Sequence, residues 1–286
     1  MAIQKIGIVG AGLMGSGIAQ TAAQAGLDVW LSDAAQEFLD RGLGRIHGAW
    51  GMLQTKGRLT EEQVAQNKAR LHPTLALEEY ADCDIVIEVI IEQKEPKLAL
   101  FRQMDGILRP DALLVSNTSS LPITEMAAVT GRRDKVAGLH FFNPVPVMKL
   151  VEIVRTVETS DATVETLRAF SATLGKTPII AKDTAGFVVN FLLIPYLLSA
   201  IRMYEHGTAT MEDIDTAMQL GTSYPMGPFT LADYVGLDTT LYAAEVIYAE
   251  NPDPAYAPPA LLRRMVTLGR LGRKSGQGFY DYRETK

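Results

Sequence analysis

Ile6-Gly7-Ile8-Val9-Gly10-Ala11-Gly12-Leu13-Met14-Gly15 joins an apolar run to a G-x-G-x-x-G turn near the start of the chain. Such a run before a glycine turn reads as a first strand passing into a first helix. The three glycines act differently. Gly10 makes the tight turn, Gly12 lets the backbone approach a pyrophosphate, and Gly15 lets the helix pack close to the strand. The N–H groups opening the helix, at Leu13 and Met14, face the phosphate charge. A second apolar run, Val29-Trp30-Leu31-Ser32, ends in Asp33. An acid at that distance accepts hydrogen bonds from the adenosine ribose and repels a 2′-phosphate, so the cofactor reading is NAD rather than NADP. FAD-binding chains share the fingerprint but usually carry Glu there. A plain βαβ turn is the alternative, and the agreement of strand, helix and acid argues against it.

The 286 residues suffice for two domains with a well-buried core. A net charge of −6 offers no global basic field, which excludes general nucleic-acid binding. The single cysteine, Cys83, permits no internal disulfide and fits a reducing compartment. Asp82 and Asp84 flank it and would raise the thiol pKa, so it reads as structural. The first strand begins close to Met1, so no signal peptide is expected. The longest apolar stretch, 187–201, is interrupted by Asn190 and Pro195 and is too short for a bilayer span. The expectation is a cytoplasmic protein with no membrane partner and no metal.

Apolar runs at 5–9, 29–32, 85–89, 113–116, 136–140, 150–154 and 178–181 alternate with amphipathic segments such as 97–108 and 164–174. That alternation predicts an α/β fold with a Rossmann-type, doubly wound, mostly parallel sheet. Ligands of such sheets lie at the carboxyl ends of the strands. Between about 36 and 71 no strand is expected. The stretch breaks at Thr55-Lys56-Gly57-Arg58 and restarts at Thr60-Glu61-Glu62-Gln63, a capping box, so it reads as an inserted helical hairpin. Beyond Asp183-Thr184-Ala185-Gly186 strand patterns stop, and helices are predicted at 187–205, 211–220, 229–250 and 259–268. The predicted division is an NAD-binding domain at 1–184 and an all-α domain at 185–286.

Oxidation of an alcohol by nicotinamide requires a group that takes the hydroxyl proton. Of the four histidines, His47 lies on the hairpin, His72 precedes Pro73 in a turn, and His206 precedes Gly207 at a helix end. His140 instead ends an apolar strand, pointing it to the ligand side of the sheet. Twelve residues on, Glu152 interrupts the run Leu150-Val151-Glu152-Ile153-Val154. A carboxylate there is costly unless paired. An imidazole is the economical partner, giving a base with its orienting acid. An edge-strand Glu152 facing water beside an unrelated core histidine stays open at this point. Ser116-Asn117-Thr118-Ser119-Ser120 follows another strand, and its hydroxyls suit either a ligand or a helix N-cap around Ser120.

Gly10–Gly15, Ser116–Leu121, the block Gly138 to Glu152, Asp183–Asn190, Pro225-Met226-Gly227-Pro228 and the tail Gly272 to Tyr280 together resemble the L-3-hydroxyacyl-CoA dehydrogenases, in particular the short-chain bacterial 3-hydroxybutyryl-CoA type. The resemblance covers nearly the whole chain. It implies NAD-linked interconversion of an (S)-3-hydroxyacyl-CoA and its 3-ketone, with His140 as general base and Glu152 as its partner. Ser119 matches the serine at the reacting oxygen and cofactor, and Asn190 the asparagine that positions substrate. Asn143, Glu92, Lys97 and Lys274 match positions at the cofactor. The hairpin matches a CoA-binding arm, with Lys56, assisted by Arg58, supplying the local basic charge that CoA phosphates need. The resemblance also implies a homodimer through the helical domain.

Two residues depart from that pattern. Phe191 stands where the family has Arg after the asparagine, and Gln93 where Asn is common. Neither is a proposed proton-transfer residue. Two other readings are a dehydrogenase of a hydroxy acid without CoA, and a non-catalytic NAD(H)-binding protein. The joint presence of Ser119, His140, Glu152 and Asn190 argues against the second.

Overall fold

The run before the glycine turn forms β1 (Lys5–Val9), with Ile6 and Ile8 fully buried. The computed structural model describes residues 3–283 and divides them into two units at 184/185. In the first unit β1 is followed by α1 (Leu13–Gln24), β2 (Asp28–Ser32), α2 (Gln36–Thr55), α3 (Glu61–Ala69), β3 (Leu71–Pro73), β4 (Ile85–Glu88), α4 (Lys94–Ile107), β5 (Leu113–Ser116), α5 (Ile123–Ala128), β6 (Val136–Phe141), β7 (Leu150–Arg155), α6 (Asp161–Thr173) and β8 (Thr177–Lys182). Among the described residues the sheet order is β3-β2-β1-β4-β5-β6-β7-β8, and only the β6–β7 pairing is antiparallel. This is the mostly parallel, Rossmann-type sheet that the sequence predicts. Strand order reverses between β1 and β4, so the crevice beyond their carboxyl ends is the switch point where ligands of such sheets bind.

The hairpin is present as α2 and α3. Thr60 accepts from the Gln63 backbone N–H at 3.1 Å, and the Gln63 side chain accepts from the Thr60 N–H at 2.9 Å, completing the capping box. One expectation fails here. Residues 71–73, read as a turn, form the edge strand β3 beside β2. A three-residue strand shows no alternation to read, and Pro73 lacks an N–H, which an edge strand tolerates.

The second unit contains α7 (Val189–Glu205), α8 (Met211–Thr222), α9 (Pro228–Val235), α10 (Leu237–Glu250) and α11 (Ala260–Thr267). Leu198, Ile201, Phe229, Leu237, Ala244 and Ile247 lie in its core. The stretch 229–250, read as one helix, is two. Gly236, at φ 103°, breaks it, because that backbone conformation cannot continue a right-handed helix. Among the described residues no helix is long and apolar enough to cross a membrane.

Candidate active site

At the switch point the glycines behave as their chemistry requires. Gly10 has φ 112°, and a Cβ there would lie 2.4 Å from the Val89 carbonyl oxygen. A Cβ on Gly15 would lie 1.8 Å from the Gly10 carbonyl oxygen, so only glycine lets α1 approach β1 this closely. A Cβ on Gly12 would meet nothing within 4 Å. The protein's own packing does not demand that glycine, and the bare space in front of it suits a close ligand. Gly12 is also the N-cap of α1, with no side-chain cap and no acid in the first turn. The N–H groups at Leu13 and Met14 have no acceptor within the helix, which is the arrangement that attracts phosphate. Asp33 Oδ2 accepts from the Ala11 N–H at 2.7 Å, tying the acid to the glycine turn. These residues fit the pyrophosphate and ribose of NAD.

The antiparallel register sets His140 on β6 directly opposite Glu152 on β7. Directly opposed side chains share a face, with Cβ atoms about 4.5–5.5 Å apart. His140 Nδ1 and Glu152 Oε2 are 2.6 Å apart, with Glu152 fully buried and His140 6% exposed. The His140 ring also packs against Phe142, with centroids 4.6 Å apart. Glu152 does not face water. The Phe141 N–H donates to Asn117 Oδ1 at 2.9 Å, linking the end of β6 to the turn after β5.

That turn does not cap the next helix. α5 has Pro122 as its N-cap and takes its acceptors from Asp183, which receives the Ile123 and Thr124 N–H groups at 2.9 and 2.6 Å. The turn's hydroxyls go to Glu92 instead. Glu92 Oε1 accepts from Thr118 Oγ1 at 2.5 Å and from the Ser119 N–H at 2.9 Å. Burial works against the charged Glu92 carboxylate. Even so, the Lys97 ammonium and the bonds from Thr118 and Ser119 hold its pKa below the usual range. Lys97 is 1% exposed, and its Nζ lies 2.6 Å from Glu88 Oε1 and 3.2 Å from Glu92 Oε2. Glu88, fully buried at the end of β4, is a residue that the sequence reading misses. Yet it closes the apolar run Ile85-Val86-Ile87 much as Glu152 interrupts its own, and that signal could have found it.

Lys56 and Arg58 line an open cavity of about 780 Å³ within the first unit, together with Gln24, Met52, Val147 and Thr173. Asn143 is exposed just beyond β6. In the second unit Asn190 is half-buried in the first turn of α7, and Lys274 Nζ pairs with Asp238 Oδ1 at 2.6 Å. Phe191, the departure from Arg, is taken up by packing, its ring 5.2 Å from that of Tyr256. Gln93 is the N-cap of α4 but makes no side-chain cap bond. Its extra methylene distinguishes it from the Asn that favours this position. His47 and His206 are exposed, His206 as the C-cap of α7, and His72 stacks on Trp30. Burial, and next Asp84, push the Cys83 thiol up to about 12, as an inert structural thiol requires.

With this geometry established, the chain can be set beside known proteins. The NAD binding domain of 3-hydroxyacyl-CoA dehydrogenase matches residues 5–184, and the C-terminal domain of the same enzymes matches 186–282. A probable 3-hydroxybutyryl-CoA dehydrogenase of Deinococcus radiodurans is 49% identical over 280 residues, covering 97% of this chain and all of the relative. The 3-hydroxybutyryl-CoA dehydrogenase of Mycobacterium tuberculosis is 47% identical over 283 residues, covering 98% of this chain and 99% of its own. The crystal structure of (S)-3-hydroxybutyryl-CoA dehydrogenase from Ralstonia eutropha superposes with a TM-score of 0.95 at 44% identity, covering 98% and 99% of the two chains. The glycine turn, Asp33 and these full-length matches lead to one conclusion: the chain belongs to the 3-hydroxyacyl-CoA dehydrogenase family and is an NAD-dependent enzyme.

Proposed function

We propose that this enzyme interconverts (S)-3-hydroxybutyryl-CoA and acetoacetyl-CoA, with His140 and Glu152 as its acid–base dyad. The observation that carries the reading is the buried 2.6 Å contact between His140 Nδ1 and Glu152 Oε2. With Nδ1 committed to the carboxylate, proton exchange with substrate falls to Nε2. In oxidation His140 takes the 3-hydroxyl proton, and in reduction it returns it. Glu152 fixes the tautomer and stabilises the imidazolium as it forms. Bound NAD⁺ supplies the electron acceptor, and (S)-3-hydroxyacyl-CoA plus NAD⁺ becomes 3-ketoacyl-CoA plus NADH and a proton. Ser119, held by Glu92, contacts the reacting oxygen, and Asn190 positions the substrate. Asn143, Glu92 and Lys274 serve the cofactor, as does Lys97 from beneath.

The cavity edged by Lys56 and Arg58 supports a CoA thioester over a free hydroxy acid, since CoA phosphates need local cations on an acidic protein. The 43–49% identity to curated 3-hydroxybutyryl-CoA dehydrogenases supports a four-carbon acyl group. A cytoplasmic homodimer paired through the helical unit completes the proposal. The test is NADH oxidation with acetoacetyl-CoA, run beside NADPH and beside free acetoacetate. Rapid oxidation of NADH alone, and only with the thioester, is expected. Equal rates with the free acid would overturn the CoA reading, and NADH binding without turnover would overturn the catalytic one.

A further inference from the structure

Beneath the Ser119 turn the carboxylates of Glu88 and Glu92 both lie against the Lys97 ammonium, an arrangement that the His140–Glu152 dyad does not require. Glu88 accepts from the Ile90 N–H at 2.7 Å, from Lys97 Nζ at 2.6 Å and from Ser116 Oγ at 2.6 Å. The Ile90 N–H and the Lys97 ammonium can only donate to it, and the Ser116 hydroxyl donates as well. Lys97 lies in turn between Glu88 and Glu92. Glu88 sets a second carboxylate against the same ammonium, in a buried setting where solvent screens charge weakly. The cluster lies at the carboxyl ends of β4 and β5, the edge across which a dinucleotide extends in such sheets.

We propose that Glu88 is a positioning residue that holds Lys97 down against the sheet and adds negative charge under the Ser119 turn, so that the site favours the cationic, oxidised nicotinamide over the neutral reduced one. The proposal rests on the placement of Ser119 at the nicotinamide in the proposed function. Electrostatic preference of this kind changes the ratio of the two cofactor affinities, which a purely structural role would leave alone.

The experiment measures the dissociation constants of NAD⁺ and NADH by calorimetry, on the full chain without acyl-CoA. Glu88→Gln keeps the shape and can still bond Ile90 and Ser116, but removes one negative charge. The ratio Kd(NAD⁺)/Kd(NADH) is expected to rise roughly threefold or more, with little change in melting temperature. The double variant Glu88→Gln/Lys97→Met removes one charge of each sign, and its ratio should return to within about twofold of the wild type. A ratio unchanged in Glu88→Gln overturns the proposal, as does a double variant displaced as far as the single one. Should Glu88→Gln fail to fold, Glu92→Gln removes the same charge from the more exposed partner, and an unchanged ratio there overturns it equally. Because no acyl-CoA is present, these outcomes stand apart from any failure of the proposed dehydrogenation.

Discussion

Glu152 and Glu88 are both carboxylates in apolar strands, and both are fully buried and paired. The cost of burying an uncompensated charge is what makes such residues informative in a bare sequence. For Glu152 that argument offers His140 as the economical partner, while for Glu88 the partner comes from helix α4, nine residues away. The proposed role of the dyad gives a direct prediction. His140→Ala and Glu152→Gln should each lose about 10²–10⁴-fold in turnover while NADH still binds, since general acid–base help is of that size. Steady-state rates with acetoacetyl-CoA, together with NADH titration of each variant, check it. Turnover within a factor of about two of the wild type in either variant would remove that residue from the proton path.

Elements show how local and distant information divide. The capping box at Thr60 and Gln63 is local, and it is readable because both partners lie within one helical turn. Thr60→Ala should therefore lower stability by about 0.5–2 kcal/mol, measured by urea unfolding, and leave NADH affinity unchanged. The cap of α5 is the opposite case. Ser120 stands close in sequence, but Asp183 supplies the acceptors from about sixty residues away. Likewise the break at Gly236 escapes a reading of the sequence because apolar residues continue on both sides of it, and only its positive φ separates α9 from α10. The short strand β3 exists only because β2 offers it an edge.

At the scale of the molecule, an acidic protein must bind a polyanionic thioester, and charge at one place has to outweigh charge overall. In the proposed function Lys56, at the C-terminal cap of α2, and Arg58 meet that need at the rim of the cavity in the first unit. Reversing one charge, Lys56→Glu, should raise KM for acetoacetyl-CoA several-fold, by roughly 1 kcal/mol of binding, with kcat held within about twofold. The effect should shrink as salt is raised, because the charges are exposed. A KM that is unchanged at low ionic strength would move the phosphate contacts elsewhere.

The sequence by itself determined the glycine turn, the choice of Asp33 over a 2′-phosphate pocket, the alternation that builds the sheet, the inserted hairpin and the helical character of the second unit. These are properties of residues close together in the chain, where spacing and side-chain chemistry suffice. Tertiary structure alone decided that β7 runs antiparallel to β6, and with it the register that sets Glu152 against His140. It alone also decided that the hydroxyls after β5 turn to Glu92, and that Glu88 and Lys97 lie buried beneath them. Those contacts join strands and helices whose pairing depends on how the whole sheet closes, and buried charges find their partners only once it has.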